Sequence, residues 1–203
     1  MMGASSLSSW FREAGQAMQS EQDEFVAIRE AAYDGLRLGT YIDRHHSVPV
    51  CQLLILPSFE NAVSWDVIRV AHRRAGAQAR LYRSCWRMDI DLHAMSSPVE
   101  RLKYPRPYSP TVEANWVVID RSRVEVILAR LRTAPIPLAV VGPRMGCDGT
   151  AFELSVGESF CNARISWWGD MPKEWQQLQP IVAELEQLFE QAWATPGEPD
   201  ASP

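Results

Sequence analysis

The stretch DGTAFELSVGESFCNARISWWGD, from Asp148 to Asp170, decides the fold. Two runs of alternating apolar and polar residues flank a Gly-Glu-Ser segment, the pattern of an antiparallel hairpin with one buried face. Phe152, Leu154 and Val156 share one face of the first run, with Ala151, Glu153 and Ser155 on the other. In the second run Cys161, Ala163, Ile165 and Trp167 form the apolar set, and Asn162, Arg164, Ser166 and Trp168 the polar one. Opposed residues of a hairpin share a face, so opposing Val156 with Phe160 would bury Arg164 beside Phe152, and that register is excluded. Two registers remain. A two-residue turn at Gly157-Glu158 sets Glu153 against Asn162, whereas a four-residue loop from Gly157 to Phe160 sets Glu153 against Arg164, a charge pair worth about 0.2–1 kcal/mol. Either one turns Trp167 inward and Trp168 outward.

Working outward from the hairpin, the rest of the chain supplies more strands and few helices. VPVCQLLIL, from Val48 to Leu56, is a short apolar run suited to a buried strand. AVSWDVIRVA and AQARLYRSCWRMDI read as hairpin arms joined at Arg74-Ala75-Gly76. Pro98, Pro105, Pro107 and Pro110 make SSPVERLKYPRPYSPT an extended loop that carries Tyr104 and Tyr108. VEANWVVI resumes a strand. Asp120 then caps a helix whose apolar stripe is Val124, Ile127, Leu128 and Leu131. LAVVG, from Leu138 to Gly142, is a further short strand. The last helix aligns Leu178, Ile181, Val182, Leu185, Leu188 and Phe189.

The chain thus divides into a disordered terminus (1–9), a helical segment (10–40) of one or two helices, an α+β domain (41–193) and a disordered tail (194–203). The expected fold is a single α+β domain: a largely antiparallel sheet, the Asp120 and C-terminal helices on one face, the N-terminal helices at the edge.

Composition narrows the function classes. A formal net charge of −5 over 203 residues disfavours a general nucleic-acid binder, because phosphate affinity rests on clustered Lys and Arg. From Ala62 to Arg106, however, nine basic residues face four acidic ones, so the middle of the chain is locally basic. Cys51, Cys85, Cys147 and Cys161 stand apart with no C-x-x-C pair and no secretory signal before them, which indicates a reducing cytoplasm. No apolar run spans a bilayer.

The search for chemistry yields only weak candidates. His45 and His46 in DRHHS are the metal candidates, but neighbours on a strand point to opposite faces, and no metal or other cofactor is assigned. Cys147 with Asp148 is a conceivable thiol site; DGT is first of all a turn. Asp89 and Asp91, two apart, would share a strand face. Walker, G-x-G-x-x-G, G-x-S-x-G and H-E-x-x-H motifs are absent. The outward residues Trp168 and Arg164 with Glu153, together with Trp175, Tyr104 and Tyr108, form a candidate partner-binding patch, since Trp, Tyr and Arg dominate interface hot spots.

PSFENAVSW, LYRSCWRMDID, SPVERLKYPRPY and the opening stretch extended to PKEW together resemble a group of uncharacterised bacterial α+β proteins marked by DGT-x-x-E-L and SWW…P-x-x-W. The matching positions are Asp148, Gly149, Thr150, Glu153, Leu154, Trp167, Trp168, Pro172 and Trp175. Proteins of this appearance are similar to bacterial immunity proteins. The resemblance implies a non-enzymatic protein that neutralises a toxin by binding it. The alternative is an enzyme for a small or nucleotide-like substrate, with His45, His46, Cys147 or Asp148 at its site.

Overall fold

Alternation along the first strand creates both faces of the sheet. In β1 (Pro49–Pro57), Cys51 and Leu53 turn to one side and Gln52, Leu54 and Leu56 to the other. β2 (Val63–Arg69), β3 (Gln78–Trp86) and β4 (Val112–Asp120) form a meander on one flank of β1, and the hairpin of β5 (Thr150–Glu158) and β6 (Cys161–Trp168) lies on the other. The six strands run in the order β4-β3-β2-β1-β5-β6, every neighbour antiparallel. The structure, a computed structural model, describes residues 5–42, 49–69, 78–97, 99, 109–137, 148–158 and 161–195. The Arg74-Ala75-Gly76 turn, most of the proline-rich loop and LAVVG lie outside these.

The expected pair of helices occupies the Leu53 face. α3 (Arg121–Thr133) begins where Asp120 accepts a hydrogen bond from the Ser122 N–H at 2.8 Å, and it buries Val124, Ile127 and Leu128. After a short 3₁₀ turn (Lys173–Leu178), the last helix, α4 (Gln179–Ala194), buries Ile181, Val182, Leu185, Leu188 and Phe189. Trp65 is the centre of this core, 5.9 Å from Phe189 and 5.7 Å from Trp193 between ring centroids. Arg83, opposite Trp65 on β3, lies over both indoles.

A second core forms on the Leu54 face. The N-terminal segment is one helix, α1 (Ser5–Leu38), which starts inside the stretch expected to be disordered; serines are well tolerated at a helix start. Ile28, Ala32 and Leu36 pack on Leu54, Leu56, Ala62 and Trp86, so this helix covers part of the sheet as well as bordering it. Gly39, at φ 60°, ends it.

Two expectations are corrected. The β3 arm was expected to run through RMDI, but it stops at Trp86, and Met88–Ser96 is α2. Asp91 explains the change: buried, it accepts from Trp86 Nε1 at 2.7 Å, Thr111 N at 2.9 Å and Thr111 Oγ1 at 2.6 Å, which suits a helical turn below the indole. Asp89 and Asp91 therefore share no strand face. Asp89 pairs with Arg87 instead, whose guanidinium holds its carboxyl down at about 2.

The β5–β6 register is the second. Glu158 opposes Cys161 and Glu153 opposes Ser166, four positions beyond the first expected register and two beyond the second. Gly157 is strand, opposite Asn162, and lies within the paired segment. The shift is even, so the facing of every side chain is preserved.

Candidate binding face

One row of side chains crosses all six strands on the Leu54 face. Trp116 opposes Tyr82, Tyr82 opposes Asp66, Asp66 opposes Gln52, Gln52 opposes Ser155, and Ser155 opposes Arg164. The centre of the row is buried and the two ends are not. Ser64 Oγ donates to Asp66 Oδ2 at 2.6 Å, and Gln52 Nε2 donates to Asp66 Oδ1 at 2.9 Å and to the Leu36 carbonyl at 3.1 Å. Gln52 thereby adds a second donor to a carbonyl in the last turn of α1, which also accepts from the Gly39 N–H, and ties the helix to the sheet.

At one end, Arg37 and Arg164 grip Glu153. Arg37 Nε and Nη2 donate to Glu153 Oε1 at 3.0 and 2.7 Å, while Arg164 donates to Oε2. Burial alone raises the Glu153 pKa, but hydrogen bonds from Arg37 and Arg164 and their charges outweigh it, leaving it below the ordinary 4.5. Because the folded value is depressed, this stabilisation is complete above the unfolded pKa and is lost as pH falls through the folded one. Denaturant titrations from neutral pH to below 4.5 are expected to show wild type losing more stability than Glu153→Gln; parallel losses would remove Glu153 from the acid response.

At the other end stands Trp116. Its indole is 43% exposed, with the Arg80 guanidinium 4.4 Å from the ring centroid and the Tyr82 ring 6.4 Å away. Tyr82 is itself buried against Ile42 and Ile68. The result is an aromatic side chain held from beneath and open above. This residue was missed in the sequence, although a signal existed: once Ile119 faces the Asp120 helix, alternation puts Trp116 on the opposite face.

Of the described residues expected to form the patch, Trp168, Arg164 and Glu153 share the Leu54 face of the hairpin and Trp175 does not. Trp175 is 8% exposed, packs in the Leu53-face core and donates from Nε1 to the Pro137 carbonyl at 3.3 Å, so it is no surface anchor. Trp167 points inward and stacks on Phe152 at 5.2 Å. Trp168 lies on the far face, opposite Ala151, and is half-buried against Gly149. Glu153 is buried, and Arg164, half-exposed, is bound to it. Tyr104, Tyr108, His45, His46 and Cys147 lie outside the described residues; Asp148 is exposed. Of the basic middle segment, Arg69 pairs with Glu125, Arg87 with Asp89 and Glu113, and Arg80 and Arg83 lie over tryptophans.

Gly149 explains the seat of Trp168. At φ 150°, a Cβ there would come within 2.8 Å of Trp168 Nε1. Gly149→Ala is expected to destabilise by about 1–3 kcal/mol through backbone strain and overpacking. A denaturation midpoint equal to wild type would refute this.

Among the described residues, no group of three or more His, Cys, Asp or Glu is placed to hold a metal ion, and no helix is long and apolar enough to cross a membrane. No protein family matches the chain, and comparisons with curated proteins and with solved structures find no match.

Proposed function

We propose that this protein is a non-enzymatic bacterial binding module of the immunity or antitoxin type, which neutralises a protein toxin in the cytoplasm by direct contact. The observation that carries this reading is the Trp116–Arg80–Tyr82 stack, which has the residue types and the supported, half-open geometry of an interface hot spot. The net charge of −5 suits a basic partner, because complementary charge speeds encounter. The anchor moves from Trp168 to Trp116, the more open of the two.

A pull-down from the native cytoplasm tests it, with Trp116→Ala and Trp168→Ala run beside wild type after their folding has been checked. Trp116→Ala is expected to weaken capture of a stoichiometric partner by about 2 kcal/mol or more, roughly thirtyfold in Kd. Equal capture by Trp116→Ala and wild type would reject the stack as the anchor.

One observation favours a second reading, an enzyme for a small or nucleotide-like substrate. Ile42 packs against Ile68, and Pro49 opposes Ile68, so both flanks of the segment bearing His45 and His46 stand beside the row that holds Asp66. Turnover lost in His45→Ala or His46→Ala would support that reading over the first.

A further inference from the structure

We propose that the outer edge of β4 pairs with β4 of a second copy of this chain, antiparallel, about a two-fold axis at Trp116. Among the described residues β4 ends the sheet order, and its nine residues pair with β3 without a register shift. The phase of that ladder is fixed by its first bond. The Arg87 N–H donates to the Thr111 carbonyl, so alternate residues onward from Thr111, namely Glu113, Asn115, Val117 and Ile119, face β3 with their backbone groups. On the far side of β3, the Trp86 N–H donates to the Ala62 carbonyl, the complementary phase. Val112, Ala114, Trp116 and Val118 consequently turn their N–H and C=O groups to the open edge.

Proteins guard such edges with proline, lysine, bulges or inward charge. β4 has no proline, lysine or bulge, its pairing is continuous, and of its two charges Glu113 is paired with Arg87 while Asp120 stands at the strand's end.

The second copy is the occupant that β4 itself specifies. With Trp116 opposite its counterpart, Ala114 opposes Val118 and Val112 opposes Asp120 on one face, while Asn115 opposes Val117 and Glu113 opposes Ile119 on the other. Glu113 and Asp120, the strand's two charged residues, meet apolar partners, so no like charges are opposed. The same patch serves both copies, so the assembly closes as a dimer and does not extend into a fibre. The pairing does not rest on the partner reading above. A monomer could still bind a toxin through Trp116, and a dimer could exist without one.

Sedimentation of the full chain over micromolar concentrations is expected to give twice the chain mass. Ala114→Pro and Val118→Pro each remove an outward N–H while sparing the bonds to β3, and are expected to sediment as monomers with unchanged circular dichroism. Trp116→Cys supplies a check that survives a folding failure of the proline variants. A hydrogen-bonded antiparallel pair holds its Cα atoms about 5.5 Å apart, within reach of a short bifunctional thiol cross-linker, so the treated variant is expected to run as a covalent dimer on a denaturing gel where treated wild type does not. A wild type that remains monomeric overturns the proposal. So does a dimer that folded proline variants retain, or one that Trp116→Cys fails to cross-link.

Discussion

Trp65→Ala is expected to lower the stability of the fold by about 3–5 kcal/mol, the range for removing a large aromatic from a well-packed core. Trp65 is 1% exposed on the central side of β2, between the sheet and α4. Its ring contacts hold Phe189 and Trp193 of α4, and Arg83 closes it from β3. The cavity left by alanine would be flanked by a strand ladder that cannot collapse and a helix that can shift only by losing its own contacts. Urea unfolding monitored by circular dichroism measures the effect. A loss below about 1 kcal/mol would mean that α4 closes over the gap, contrary to the packing described here.

Asp91→Ala is expected to have an effect of similar size by a different route. Three donors converge on this carboxylate, and the Trp86 ring that carries one of them is fully buried. Deleting the acceptor leaves buried donors without partners, at about 1–3 kcal/mol each, for a total on the order of 4 kcal/mol after partial hydration of Thr111. Asp91→Asn, which keeps one acceptor oxygen, is expected to fall between wild type and alanine. An asparagine variant as unstable as the alanine variant would show that the charge, and not the count of acceptors, matters here.

The α+β architecture was legible because its signals are periodic. Alternation in β5 and β6 gave the facing of both tryptophans, and the stripe after Asp120 gave the capped helix and its buried face. What escaped was decided by contacts remote in sequence. The hairpin turn is expected at Gly157 because glycine favours turns, but pairing with β6 carries β5 through that residue to Glu158. α2 was read as strand because RMDIDL alternates; its helical form depends on Thr111, twenty residues away, completing the shell of Asp91. Trp168 and Trp175 look equally available in sequence, yet only Trp168 shares the face of Arg164 and Glu153. Burial of Trp175 depends on the Pro137 carbonyl and the α4 core, neither of which is local to it.

The sheet order also has a consequence for the chain as it leaves the ribosome. β1 is the shared strand of two units: its partner β2 follows within a few residues, whereas its partner β5 is separated from it by about half the sequence. During synthesis the β1–β4 meander can zip by local steps, yet one side of β1, with Leu53, Leu54 and Leu56 in it, stays an open template until residue 158 has emerged. The closing step is entropically slow because so long a loop must be drawn together first. For this fold the vulnerable interval therefore lies between translation of the fourth strand and arrival of the fifth, and a chain truncated in that window would present a central strand as an edge.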